Sequence, residues 1–219
     1  VARQIEILFG AWKNPRPYQR IPVRYFDVAS TTGSVVTPDK ANAALRAGVA
    51  IPMRDDDADF EAMVLGNYLL GGTPTARLPA RIREKDGLSY SVYSSFRAGQ
   101  KDKVGRFNVS AIFAPQNRAR VEAALREELA RALEHGFTPA EVEAAKNGLL
   151  QARRLSRTRD ATLARRLAWY LHLDRSFEWD IAFEARIAAL TPAQIVAALR
   201  RHLDPARLSV VVAGDFKPN

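Results

Sequence analysis

The sequence contains no cysteine, and its 219 residues include only two methionines and three histidines. The lack of cysteine excludes disulfides and thiolate metal sites, and it is compatible with either the bacterial periplasm or the cytoplasm. No apolar run approaches the roughly 18 residues that cross a bilayer, and no charged segment followed by an apolar one marks a leader. We therefore expect no membrane span. Because Val1 is not a natural first residue, we expect a fragment or a processed chain.

The short motifs of metal sites and of activated nucleophiles are also missing. Neither H-x-x-E-H nor H-E-x-x-H occurs, and His135, His172 and His202 lie far apart in the chain. Each lies near the predicted end of a helix, where an imidazole suits the helix dipole. G-x-S-x-G and the spaced glycines and lysine of a P-loop are absent too. The chain on its own is therefore expected to hold no metal or other cofactor and to catalyse no hydrolysis.

Acidic residues are outnumbered, with 33 Lys and Arg against 24 Asp and Glu, which gives a formal charge of +9. Such a charge is compatible with an arginine-rich surface or with a polyanionic partner. The second alternative depends on the six arginines between Arg153 and Arg166. Aromatic side chains that would stack on bases lie mostly elsewhere in the chain, so we expect no nucleic-acid partner.

The pattern of apolar residues indicates a sheet and several helices. Apolar residues at the odd positions from Ala41 to Met53 predict a half-buried strand, with Arg46 on its solvent-exposed face. An acidic run and an apolar stripe predict the next helix, and a second helix is expected to be interrupted or restarted at Pro79 and to end at Gly87. The alternation in residues 88–98 and 104–114 predicts an antiparallel hairpin.

Four helical patterns and a short strand complete the chain. Thr138 and Thr191 each begin a capping box with proline at the first helical position, which predicts two helix starts. The segment R-L-S-V-V-V-A-G-D predicts the closing strand. Because helices are grouped and strands are neighbours in a hairpin, the order favours an α+β fold, a two-layer sandwich in which helices cover a mainly antiparallel sheet.

The stretch L-P-A-R-I-R-E-K-D-G-L-S-Y-S-V-Y-S-S-F, residues 78–96, joins the second helix to the hairpin. If Gly87 ends that helix, Arg83 lies in its last turn and Tyr90 lies at the start of the next strand. A guanidinium and a phenol placed together can donate hydrogen bonds to a peptide carbonyl and stabilise an oxyanion. The alternative is an arginine that caps helix carbonyls and a tyrosine that packs under the sheet.

The same stretch, with the preceding L-G-G, resembles part of the pitrilysin family of zinc metallopeptidases. Members of that family have a glycine-rich turn, a helix containing R-L, and a run R-E-K-x-G-L-x-Y that leads into a strand. The likeness extends in order over residues 23–216 and includes the closing strand.

The resemblance implies a catalytic unit built from two similar domains. One of them carries H-x-x-E-H and the zinc ion, and the other lacks zinc and contributes an arginine and a tyrosine to substrate binding. Arg83 and Tyr90 match that pair in spacing and context. The resemblance therefore implies the C-terminal zinc-free half of a bacterial two-domain zinc protease, with Zn²⁺ in the partner domain and peptides as substrates.

The resemblance also predicts the domain boundaries. Residues 1–22 are similar to the tail of a preceding domain and its linker, and residues 23–219 are expected to form the zinc-free domain. A structural or assembly subunit with the same fold is the alternative function, followed by a basic domain that binds polyanions. A homo-oligomer stays open as a further arrangement.

Overall fold

A five-stranded sheet forms one layer of the protein, whose computed structural model describes residues 1–216. The strand order across the sheet is β1-β5-β2-β4-β3. β1 and β5 run parallel, and all other neighbours are antiparallel. The expectation of a mainly antiparallel sheet is confirmed. The strands are β1 (Thr32–Val36), β2 (Ala43–Ile51), β3 (Ser89–Arg97), β4 (Gly105–Phe113) and β5 (Ser209–Gly214).

Helices form the second layer and cover one face of the sheet. α3 continues without a break into a π-helical segment, Ala80–Lys85. Within residues 1–216 the α-helices are α1 (Ala2–Phe9), α2 (Phe60–Leu70), α3 (Arg77–Pro79), α4 (Arg118–His135), α5 (Pro139–Arg157), α6 (Asp160–His172), α7 (Glu178–Ala189) and α8 (Pro192–His202).

The hydrophobic core lies between the two layers. Alternate residues of the central strands point into it, including Leu45 on β2 and Phe107 and Phe113 on β4, each with 1% or less of its surface exposed. From the helices, Leu65 and Ile195 are fully buried against them. The apolar residues predicted to share one side of β4 are those on its buried face. The two-layer α+β fold is confirmed.

The capping signals in the sequence predicted two helix starts correctly, but the predicted number of helices after the hairpin is wrong. Both predicted capping boxes are present, with Glu141 at the third position of α5 and Gln194 at the third position of α8. Among residues 1–216, five helices follow the hairpin rather than four, because the chain leaves α5 at Thr158 and begins α6 at Asp160. β1 was not predicted, and it pairs with β5 from the opposite end of the chain.

The expected interruption at Pro79 is wrong. Pro79 has helical dihedral angles and lies in the first turn of α3, where a backbone N–H has no acceptor within the helix. Its missing N–H therefore costs no hydrogen bond. The predicted end at Gly87 is confirmed, since Gly87 has φ of +60°, a left-handed conformation that glycine adopts without a steric cost.

The segment before β1 is attached to the domain by several polar contacts, the most extensive of them at the tip of the β3–β4 hairpin. α1 buries no residue. Further along, Arg20 forms two hydrogen bonds to the carboxylate of Asp102 at the tip of the β3–β4 hairpin, and the backbone N–H of Val23 donates to the same carboxylate. These bonds hold the pKa of Asp102 down at about 2, with Arg20 as the main cause. The end of the expected linker is thus fastened to the hairpin.

Candidate functional site

Tyr90 lies in a β-bulge at the start of β3. Ser89 pairs with Phe113 and Ser91 pairs with Ile112, so Tyr90 is an extra residue with no partner on β4. In a regular strand, residues two apart face the same side, so Tyr90 would point into the core together with the buried Val92. The bulge shifts the phase by one residue, so that Ser89 is buried and the Tyr90 side chain is 81% exposed.

Ser89 holds the bulge in place. Its hydroxyl oxygen lies 2.7 Å from the carbonyl oxygen of Ser91 and 2.7 Å from that of Ile112. A bulge leaves ladder carbonyls without their usual partners, and the buried hydroxyl can donate to either of these two. The alternative of a tyrosine packed under the sheet is therefore not what the structure shows.

Arg83 lies in the last turn of the π-helical segment, one turn before the glycine that ends it. The N–H of Leu88 donates to the carbonyl of Ile82, which fixes the path from helix to strand. Within residues 1–216, the Arg83 guanidinium caps no helix carbonyl, and its one ionic contact is to Glu84 at 3.5 Å. Its side chain is 53% exposed. Arg83 and Tyr90 thus both project into solvent from the two sides of this corner.

A groove of about 230 Å³ opens beside the corner, between β3 and the turn after α2. Arg83 lines it, but Tyr90 is not among its lining residues. The turn approaches β3 closely: the carbonyl of Gly71 accepts the N–H of Ser94 at 2.9 Å. A Cβ on Gly71 would lie 2.7 Å from that nitrogen. The lining residues are Gly71, Gly72, Thr73, Pro74, Pro79, Arg83, Ser91, Val92 and Tyr93.

Tyr93 is the residue of this groove that sequence reasoning missed. It extends from β3 onto the face of the sheet that no helix covers, where Nη1 of Arg46 donates to its hydroxyl at 3.3 Å. A hydrogen bond with Ser110, and then the one from Arg46, lower the pKa of the Tyr93 phenol. The alternation of Val92 and Tyr93 would have placed Tyr93 on this face, but only the sheet order brings Arg46 to it.

The histidines occupy the predicted helix ends. His135, His172 and His202 are the last residues of α4, α6 and α8. His202 contacts the carboxylate of Asp59 at 2.8 Å. Burial raises the pKa of Asp59, but the hydrogen bonds from His202 and Arg201 outweigh it and leave the pKa below its usual value. Within residues 1–216 no three His, Asp or Glu side chains cluster as metal ligands, so these residues do not fit a zinc ion.

Three of the six arginines proposed for polyanion binding are occupied by internal ion pairs. Arg153, Arg157 and Arg166 form ion pairs with Asp180, which is fully buried on α7. Tyr170 donates to Asp180 at 2.6 Å. Burial and then this contact raise the pKa of Tyr170 to about 12. For Asp180, burial pushes the pKa up, but Tyr170 and the three arginines bring it below its usual value. The group joins α5, α6 and α7.

Residues 1–149 match the family described as the Peptidase M16 inactive domain. The chain belongs to this family. Its likeness to the pitrilysin-type zinc metallopeptidases is thereby confirmed. The family's description as inactive agrees with the lack of fit to zinc among the described side chains.

The relatives of this chain include a zinc protease and a solved M16 inactive domain. An uncharacterized zinc protease of Streptomyces coelicolor is 31% identical over 99% of this chain. A crystal structure of a peptidase M16 inactive domain from Pseudomonas fluorescens is 26% identical, with a TM-score of 0.75 over 87% of this chain and 45% of that one.

A protease from Helicobacter pylori shares the fold, with a TM-score of 0.83 and 17% identity over 99% of this chain and 52% of that one. The chain spans about half the length of its curated relative, 48%. Within residues 1–216 no single helix is long and apolar enough to cross a bilayer; α7 and α8 reach that composition together only across a bend of 106°.

Proposed function

We propose that this chain is the zinc-free, substrate-binding half of a zinc metalloendopeptidase, paired with a domain that carries H-x-x-E-H and the Zn²⁺. The observation that carries the proposal is the bulge at Tyr90, which turns a phenol out of the core seven residues after an arginine whose one ionic contact within residues 1–216 is to Glu84. The relatives support the pairing, since the chain corresponds to about half of each.

Arg83 and Tyr90 have complementary roles in this proposal. The guanidinium of Arg83 donates to carbonyl oxygens of a bound peptide and positions the backbone. The hydroxyl of Tyr90 donates to the carbonyl at the bond to be cleaved, and this bond strengthens as negative charge develops on the oxygen. Both side chains are exposed here, so neither has to break an internal hydrogen bond before it meets the substrate.

The edge of β3 offers a way to hold an extended peptide. β3 is the outermost strand of the sheet, and its outer edge borders the groove lined by Arg83. A peptide can add to such an edge through backbone hydrogen bonds, which gives affinity with little side-chain selectivity. The contact from Ser94 to Gly71 occupies one position of this edge, so the peptide would add on the side of Ser91 and Val92.

Residues 1–22 are proposed to connect this domain to a preceding one. α1 buries none of its residues, and its exposed apolar side chains include Ile5, Leu8 and Phe9. An amphipathic helix of that kind needs another surface to cover its apolar side. The end of the linker is fixed by Arg20 and Asp102, which would define where the two domains meet. The expected domain, residues 23–219, ends outside the described residues.

The test is reconstitution with the zinc-bearing domain, followed by Arg83→Ala and Tyr90→Phe. Each variant is expected to lower kcat/KM for peptide cleavage by about a hundredfold, or roughly 3 kcal/mol, as for the loss of one oxyanion donor. Arg165→Ala is the matched control, because Arg165 is exposed on α6, whose Trp169 contacts Gln100 at the far end of the β3–β4 hairpin. If Arg83→Ala and Tyr90→Phe cleave as fast as the parent, the domain has a structural or assembly role instead.

A further inference from the structure

The five strands of this domain contain no acidic residue. Across all of them there are three arginines and neither Asp nor Glu. The arginines are Arg46 on β2, Arg97 on β3 and Arg106 on β4, and all three are exposed. Within residues 1–216 none of the three forms an ion pair, although most charged clusters of this protein pair arginine with a carboxylate. Their charge is therefore uncompensated by neighbours.

All three arginines project from the face of the sheet that the helices leave open. On β2 the buried neighbours Leu45 and Ala47 point to the helices, which places Arg46 on the other side. Cross-strand pairing aligns Arg46 with Ser110, and Ser110 with Tyr93. Arg97 and Arg106 are directly paired two rows further along. The result is a surface with three arginines and no carboxylate from the strands, which we call the open sheet face.

Arg46 and Tyr93 form the most defined part of this surface. The Tyr93 oxygen accepts from Arg46 at 3.3 Å, which holds the phenol and the guanidinium next to each other on this face. The other N–H groups of Arg46 point to no acceptor within the described residues. Together they present a guanidinium and a hydroxyl side by side, which suits a carboxylate.

The open sheet face is continuous with the proposed peptide site. Tyr93 lines the same groove as Arg83, so a peptide lying along β3 would pass from one to the other. Tyr93 is the one exposed aromatic side chain on the strands of this face besides Tyr90 at the bulge. A run of stacking aromatics, as single-stranded nucleic acids require, is not present on these strands.

We propose that the open sheet face around Arg46 and Tyr93 selects peptides that carry carboxylates, and so sets the substrate preference of the paired enzyme. The inference rests on the proposed function, because it assumes that peptides occupy the groove beside Arg83. The carboxylate belongs either to an acidic side chain or to the C-terminus of the peptide. Both present the same planar, negatively charged group to Arg46.

Three fluorescent peptides of one sequence distinguish these sources. The first has glutamates and an amidated C-terminus, the second has glutamines and a free C-terminus, and the third has glutamines and an amide. Fluorescence anisotropy measures binding of each peptide to the domain. Cleavage of each peptide is measured separately, with the zinc-bearing domain present. We expect the first or the second peptide to bind about tenfold more tightly than the third at low salt, with the preference falling as salt is added.

Arg46→Gln is expected to reduce that preference to about twofold and to leave binding of the neutral peptide unchanged. Tyr93→Phe is expected to reduce it partly. Arg120→Gln, on α4 in the other layer, is the control and should keep the full preference. In cleavage assays the change is expected in KM, with kcat for the neutral peptide unaffected.

Three results would overturn the inference. The first is equal binding of all three peptides by the parent domain while Arg83→Ala and Tyr90→Phe still lower kcat/KM as expected, which would leave the proposed function intact. The second is an Arg46→Gln variant that binds all three peptides more weakly than the parent by the same factor. The third is Arg46-dependent binding of single-stranded DNA with no preference among peptides. If no peptide binds at all, the proposed function fails together with the inference.

Discussion

The hydroxyl of Ser89 lies 2.7 Å from the carbonyl oxygen of Ile112 on the neighbouring strand. Ser89 is 7% exposed, and this contact occurs where the register between β3 and β4 shifts by one residue. The register shift turns Tyr90 outward. A serine that touches no substrate thus determines whether the phenol of the proposed site is in solvent or in the core.

Ser89→Ala is expected to lower the free energy of unfolding by about 1–2 kcal/mol, because a buried carbonyl near the bulge loses the hydroxyl that donates to it. Urea denaturation measures this loss. In the reconstituted peptidase, kcat should fall as Tyr90 loses its fixed position. Ser95→Ala is the control, since Ser95 lies on the same strand beyond the bulge and faces away from the core. A Ser89→Ala protein with unchanged stability and turnover would contradict this role.

Asp180→Asn is expected to destabilise the domain by about 3 kcal/mol. The buried carboxylate is the shared partner of Arg153, Arg157 and Arg166. Its neutralisation leaves Arg153 and Arg157 with Glu184 alone, and it removes the one ion pair that Arg166 forms within residues 1–216. Thermal and urea unfolding report the change. Glu178→Gln, at an exposed position in the first turn of the same helix, should cost under about 0.5 kcal/mol. Equal stabilities of the two variants would show that the cluster contributes little.

Glu141 makes stability depend on pH at the start of α5. The hydrogen bonds from Arg77 are the main cause that lowers its pKa from 4.5 to about 2, with the capping contacts to Thr138 adding to them. Since the folded pKa is lower than the unfolded one, this contribution is complete above about pH 4.5 and is lost as the pH falls through about 2.

Glu141→Gln keeps an acceptor for the capping box but removes the charge that Arg77 binds. We expect it to cost about 1 kcal/mol at pH 6, and the difference from the parent to shrink steadily between pH 4.5 and pH 2. Urea titrations of both proteins at several pH values measure the difference. A gap of constant size down to pH 2 would exclude the charge as its source.

Asp102→Asn is expected to release the linker from the hairpin tip. Arg20 loses its charged partner, and trypsin should then cleave after Arg20 several times faster, because cleavage requires the segment to leave the surface. Timed proteolysis with mass detection measures this rate. Glu134→Gln, at an exposed site on α4, serves as the control. Unchanged cleavage in Asp102→Asn would mean that the contact does not hold the linker.

Features that depend on near neighbours in the chain were predictable. The capping boxes at Thr138 and Thr191 involve residues three apart, and the left-handed Gly87 follows from the lack of a side chain. The buried alternation of β4 was readable for the same reason. The position of Pro79 was misread, because whether a proline disrupts a helix depends on where the helix begins, and Ala76 as its cap carries no recognisable signal.

Features that depend on distant partners were not predictable. β1 is recognisable only from its pairing with β5, almost the whole chain away. The six arginines between Arg153 and Arg166 read as a free basic patch until α7 places Asp180 and Glu184 against three of them. The neighbourhood of Arg46 and Tyr93 likewise requires β4 to lie between β2 and β3.

The order of residues alone therefore determined the family, the two-layer fold and the identity of Arg83 and Tyr90 as candidates, because motifs, caps and periodicity are encoded locally. Only the tertiary structure decided that Tyr90 is exposed and that Arg46 reaches Tyr93. Strand register is set by contacts between distant segments, and a shift of one residue exchanges the buried and exposed faces of a strand.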